Sequence, residues 1–221
     1  MKKMAGFAAA AMMCSAFMAG CTAKSAASKG NQAGDTIKIG VNMELSGAAA
    51  GYGQQEKNGI ELAVQEINAK GGVNVNGKKK KIKAIYRDNK SSTSTSASVA
   101  AQLTSQDKAV ALIGPATTNA GTATIPTANK ANVPFLSASA TAPDFTLDKK
   151  GKVQPYVFRA CFKDDYQGIT AAKFAYDTLK AKKVAILADN SSDYGTGITK
   201  AFKKVFKGQV VATQYFQAGD K

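Results

Sequence analysis

A chain of 221 residues with 44% hydrophobic and 20% charged side chains is long enough for one large or two small globular domains. It contains no His and no Trp, so the commonest general base and the commonest metal ligand are missing from any catalytic scheme. The formal net charge of +15 admits a nucleic-acid partner or an anionic surface, and equally a soluble protein that works beside an anionic envelope.

The N-terminus favours the envelope. Lys2 and Lys3 precede an apolar, small-residue run from Met4 to Ala19, broken only by Ser15. The run is short for a bilayer span and has the composition of a secretory signal. It ends in Met18-Ala19-Gly20-Cys21, which resembles the bacterial lipobox. That resemblance implies a lipoprotein signal peptide over residues 1–20, with Cys21 lipidated. The protein would then be exported and anchored to the membrane on its periplasmic or cell-surface side. Residues 21–35 are mostly Ala, Ser, Lys, Gly, Asn and Gln without periodicity, and read as a flexible tether. Removal of Cys14 and lipidation of Cys21 would leave Cys161 alone, with no intrachain disulfide available. Cys161 is expected to be a small buried apolar residue.

Strand and helix patterns then alternate. Thr36 to Met43 alternates as a strand, and the Gly-rich loop Ser46 to Gly53 follows. Ile60, Ala63, Val64 and Ile67 predict a helix over 54–69 with one buried face, stopped at Gly71-Gly72. Asn76-Gly77 predicts a hairpin within 73–81, and 82–88 reads as the next strand. A helix around Val99, Ala100 and Leu103, a strand over 110–113, a helix over 120–131 and a strand over 133–137 follow. Pro143 to Pro155 reads as the approach to a hinge. Beyond it lie a strand over 156–160, a helix striped by Ile169, Ala172, Tyr176 and Leu179, and a strand over 183–188. A helix striped by Ile198, Ala201, Phe202 and Val205 and a strand over 209–216 complete the series. Repeated βα units predict an α/β fold with parallel, doubly wound sheets. We divide the body into an N-terminal lobe over 36–155, with four long strands, and a C-terminal lobe over 156–221, with three. Both are expected to be incomplete in this chain.

In open α/β sheets, ligands bind beyond the carboxyl ends of the strands. Four loops there carry polar chemistry: 46–53 with Tyr52; 114–119, leading into a helix with Thr118; 137–143 with Ser139 and Thr141; and 189–195 with Tyr194. A Thr at a helix start caps free N–H groups, and such N–H groups also bind a carboxylate. Hydroxyls and carbonyls in the third loop could receive an ammonium group. The ensemble suits a small zwitterion better than a phosphate or a metal ion.

The segments Ile39-Gly40-Val41, Ser46-Gly47, Tyr52-Gly53, Ile67 to Gly72, Ile113-Gly114, Ser137 to Thr141, Phe158-Arg159 and Asp193-Tyr194-Gly195 occur in the order found in the branched-chain amino-acid-binding proteins. The body of the chain therefore resembles the Leu/Ile/Val-binding, type I periplasmic-binding-protein family. The resemblance implies two Rossmann-like lobes that close on an amino acid and deliver it to the membrane subunits of an ABC importer. It implies Thr118 at the ligand carboxylate, Ser139 and Thr141 at the ammonium, and Tyr52 and Tyr194 around the ligand. The family's further acidic and aromatic ligand contacts would lie beyond Lys221, so this chain is expected to be a fragment and to bind weakly by itself. The same fold also serves receptors and binding proteins for amides or urea.

Other readings find less support. There is no Gly-x-Ser-x-Gly elbow and no phosphate loop, so no enzyme and no cofactor is expected. Gly195-Thr196-Gly197 lies too far past its strand for a dinucleotide fingerprint. The Asp residues lack metal-ligand spacing, and the Lys78–Lys81 run, without interleaved aromatics, reads as a solvated face rather than a nucleic-acid patch.

Overall fold

Residues 36–220 are described by a computed structural model; the signal peptide, Cys21 and the tether read from sequence lie outside the described residues, as does Lys221. Strand β1 (Thr36–Met43) runs from half-buried residues into fully buried Val41, Asn42 and Met43 as it enters the middle of a six-stranded sheet. The order is β2-β3-β1-β4-β5-β6, with β2 (Val73–Val75), β3 (Lys78–Asp88), β4 (Ala111–Ile113), β5 (Phe135–Ser137) and β6 (Val157–Arg159). All neighbours are parallel except the β2–β3 hairpin. Asn76 and Gly77 both take positive φ, 51° and 81°, as a two-residue hairpin turn with the right twist requires.

Helix α1 (Ala50–Ala69) begins four residues before its predicted start and stays largely exposed. Its predicted stripe is only partly covered: Ile60 packs on the Val41, Met43 and Ala116 cluster, whereas Ile67 is exposed and Gly53 is the helix's buried residue. At its C-terminus, the Lys79 ammonium donates to the Lys70 carbonyl at 3.2 Å and the Lys81 ammonium donates to the Asn68 carbonyl. Part of the solvated lysine run thus satisfies the last carbonyls of α1.

Helices α2 (Thr93–Ser105) and α3 (Thr118–Ala131) pack on one another and on the sheet around Leu103, Leu112 and Phe135. A buried polar link fixes their placement. Asn42 Nδ2 lies 3.0 Å from the Ser96 carbonyl, Ser96 Oγ and Thr124 Oγ1, and its Oδ1 accepts from Asn89.

The strand near 157 departs from expectation. The sequence places it at the start of the second lobe, yet Val157–Arg159 pairs with Phe135–Ser137 as an edge strand of the first sheet. Val157 is 2% exposed and belongs to the same core cluster as Phe135, and Phe135 N–H donates to the Tyr156 carbonyl at 2.8 Å. The apolar core of the first sheet reaches across the 143–155 loop and captures this strand. A second sheet then holds two parallel strands, β7 (Lys183–Asp189) and β8 (Gln209–Phe216), rather than three. Helices α4 (Asp164–Lys173), extended by a π-helical turn over Phe174–Thr178, and α5 (Asp193–Val205) pack together beside it. Leu179 ends the predicted stripe of α4 but is exposed, because the π turn rotates the end of the helix out of phase.

Candidate functional site

The carboxyl ends of β1, β4 and β5 meet around a buried acid. Glu44, just past β1, is 0% exposed, and its carboxylate accepts from Ala116 N–H at 2.9 Å, Thr117 N–H at 3.1 Å and Thr117 Oγ1 at 2.8 Å. These bonds clamp the turn that leads into α3. They also correct the capping expectation: Thr117 is the N-cap of α3 but makes no side-chain capping bond, because its hydroxyl is held by Glu44. The next residue, Thr118, is 4% exposed, and its hydroxyl has no hydrogen-bond partner among the described residues. A buried, unpaired hydroxyl at a helix N-terminus is suited to an anionic ligand group.

The loop after β5 supplies the facing wall. Ser137 Oγ donates to the Pro115 carbonyl at 2.6 Å and accepts from Ala140 N–H at 3.0 Å, locking this loop to the 114–118 turn. Ser139 Oγ lies 2.7 Å from the Ala116 carbonyl and also contacts Glu56 Oε1. One hydroxyl proton cannot serve both acceptors. The pair is satisfied when Glu56 carries a proton and donates it to Ser139 Oγ. Burial favours that form, pushing the Glu56 carboxyl above its usual range; the Ser139 hydroxyl opposes the shift and the nearby charge of Glu44 adds to it. Thr141 is 5% exposed, and its hydroxyl, like that of Thr118, has no hydrogen-bond partner among the described residues.

Tyr52 and Tyr194 lie on the first turns of α1 and α5. Each precedes a glycine packed against the residue at or just past the end of a strand, β1 or β7. A Cβ at Gly53 would stand 2.0 Å from the Glu44 carbonyl oxygen, and one at Gly195 would stand 2.2 Å from that of Asp189. Tyr52 is one helical turn before Glu56, on the face that reaches Ser139, and its ring is 70% exposed. Tyr194 is 44% exposed and its hydroxyl donates to Gln167 Oε1 at 3.1 Å. Ser139 is thus bonded to the turn that leads into Thr118 and to Glu56 on the helix that carries Tyr52, and Thr141 lies two residues further along the same loop. Tyr194 is linked to the start of α3 through Asp193, whose backbone N–H donates to Asn119 Oδ1 at 3.2 Å.

A cleft of about 950 Å³ opens between α3 and α5, floored by the loop after Ala142. Thr118 lines it together with Asp193, Thr196 and Lys200, whereas Tyr52, Ser139, Thr141 and Tyr194 lie outside its walls. Sequence reasoning missed Glu44 and Glu56, which hold these loops in place. The only sequence signal was an acid directly after β1 and another one turn beyond Tyr52. Cys161, expected to be buried, is half-buried and donates to the Ala140 carbonyl at 3.4 Å.

The sequence profile of a family described as "Periplasmic binding protein" matches residues 36–221. The Leu/Ile/Val-binding protein BraC3 of Rhizobium johnstonii is 35% identical over 167 residues, covering 76% of this chain and 43% of the relative. The branched-chain amino acid transporter substrate-binding protein LivJ from Streptococcus pneumoniae, solved in complex with isoleucine, superposes with a TM-score of 0.77 at 46% identity, covering 84% of this chain and 51% of that one. A solute-binding protein of an ABC transporter from Rhodopseudomonas palustris, in complex with 3,4-dihydroxybenzoic acid, superposes with a TM-score of 0.72 at 27% identity, covering 83% and 48%. The chain spans about half the length of the curated relatives it matches.

Proposed function

The chain belongs to the periplasmic binding protein family, and on that premise we propose that the protein captures a branched-chain amino acid and delivers it to the membrane subunits of an ABC importer. The observation that carries this reading is the pair of buried hydroxyls, Thr118 and Thr141, left without partners at neighbouring strand ends. Unpaired buried hydroxyls cost stability unless a ligand engages them. Thr118, at the start of α3, suits the ligand carboxylate. Thr141, with the carbonyl of Ser139, suits the ammonium. Tyr52 and Tyr194 flank the ligand from the two lobes, which on this reading divide after β6. The names of BraC3 and LivJ, and the isoleucine bound to LivJ, point the same way.

The dihydroxybenzoate held by the R. palustris neighbour favours a second reading, an aromatic acid without an α-amino group. Calorimetry separates the two. The intact mature protein is expected to bind leucine, isoleucine or valine and to ignore the corresponding 2-oxo acids and benzoates. Equal affinity for the 2-oxo acid would overturn the amino-acid reading. The proposal extends to export and lipid anchoring at Cys21. Acyl labelling that persists in Cys21→Ser would reject that anchor.

A further inference from the structure

Asp164 opens α4 directly beneath the third ligand loop, and its backbone N–H donates to the Thr141 carbonyl at 2.9 Å. Its side chain is 0% exposed, and neither carboxyl oxygen has a hydrogen-bond partner among the described residues. Helix α5 closes the other side: a Cβ at Gly197 would stand 2.8 Å from Asp164 Oδ2. The carboxyl is therefore enclosed between Gly197 and the Thr141 hydroxyl, which neighbours it but falls short of hydrogen-bond geometry. A buried acid beside an unpaired hydroxyl is a costly arrangement unless something completes it.

Resting on the amino-acid reading above, we infer that Asp164 is a positioning residue for the ammonium end of the ligand, acting through Thr141. A hydroxyl has one proton and two lone pairs. When Asp164 is ionised, the Thr141 hydroxyl turns its proton inward to the carboxylate and offers an oxygen lone pair to an ammonium donor. When Asp164 is protonated, it donates to Thr141, and the Thr141 proton turns outward against the ammonium. Ligand capture therefore favours the ionised acid and expels its proton.

The surroundings make that proton available. Burial pushes the Asp164 carboxyl above the usual carboxylate range; the Thr141 hydroxyl lowers it, Asp165 on the same helix raises it, and Arg159 on β6 lowers it. Cys161, in the joining loop, feels the charges of Arg159, Asp164 and Glu56, and on α5 the charged side chains Asp193 and Lys200 line the cleft. Arg159 is already engaged, donating to the Ala142 carbonyl.

The test is calorimetric titration of the intact mature protein with leucine across the acidic pH range, in buffers of different ionisation enthalpy. The expected result is an affinity that rises with pH through the ligand-free pKa of Asp164, with proton release on binding. Asp164→Asn, nearly identical in shape, is expected to bind at least tenfold more weakly at neutral pH and to lose the proton release. Thr141→Ser should keep both signatures. In Thr141→Val, a second change of Asp164→Asn should add less than about threefold. Wild-type binding without proton release, a measurement that needs no variant, overturns the inference. So does an Asp164→Asn protein that keeps both affinity and proton release. A wild-type protein that binds no amino acid at all overturns the underlying functional reading, and this inference with it.

Discussion

Asp193 donates its backbone N–H to the side-chain oxygen of Asn119 at 3.2 Å, joining the first turn of α5 to the first turn of α3. The two residues are 74 positions apart in sequence. They sit beside Tyr194 and Thr118, so this bond ties α5 to α3 near where the proposed ligand would lie. Asn119→Ala is expected to weaken ligand binding by about fivefold, the equivalent of about 1 kcal/mol for one hydrogen bond. Calorimetry on wild type and variant reads it directly; unchanged affinity would show that the bond contributes nothing to ligand binding.

The two Tyr-Gly pairs predict a contrast among helical glycines. Gly53→Ala and Gly195→Ala would drive a Cβ into the strand-end carbonyls of Glu44 and Asp189, at 2.0 and 2.2 Å. Each is expected to cost about 1–3 kcal/mol despite the better helix propensity of Ala. A Cβ at Gly59, on the same helix as Gly53, would meet nothing within 4 Å. Gly59→Ala should therefore stabilise by about 0.5–1 kcal/mol. Urea denaturation of the three variants checks the order, and a stable Gly53→Ala protein would contradict the packing described.

Glu56 predicts a pH dependence of stability. Its carboxyl binds a proton more tightly in the folded state than in the unfolded one. Stability must then fall as pH rises from the unfolded carboxyl value of 4.5 through the raised folded value, and level off above it. Glu56→Gln keeps a donor for Ser139 Oγ and removes the titration. The variant should lack this decline and equal or exceed wild type at neutral pH. Denaturation midpoints across this range decide the matter; a parallel pH profile in the variant would refute it.

Asp88 works in the opposite sense. Burial pushes its carboxyl up, but the Ser46 hydroxyl at 2.6 Å and the N–H groups of Lys90, Leu45 and Ser46 outweigh it, so the net shift is downward. Its contribution is present above the unfolded value of 3.8 and is lost as pH falls through the lower folded value. Asp88→Asn should destabilise the protein at neutral pH and draw level with wild type in strong acid. Acid titration followed by circular dichroism tests this.

Much of the architecture was legible because it rests on local pattern. The alternation in 36–43 matches β1 residue for residue, and Asn76-Gly77 marks the hairpin turn that forms. The loops bearing Tyr52, Thr118, Ser139, Thr141 and Tyr194 could be named from their places after strands. The pairing of strand 157–159 was not legible. Three residues carry no periodicity strong enough to choose between two sheets, and the choice was made by Val157 packing into a core built around Phe135.

The sequence by itself determined the βα alternation, the chain direction that puts hydroxyl-bearing loops at one end of the sheet, and the kinship of the body. Each of these depends on neighbours along the chain. Only the tertiary structure decided that Glu44 clamps the 116–117 backbone, that Glu56 meets Ser139, and that Asp164 is enclosed beside Thr141. Those pairs bring together residues 23 to 83 positions apart, and for a buried carboxyl the energetics turn on what surrounds it rather than on its sequence neighbours.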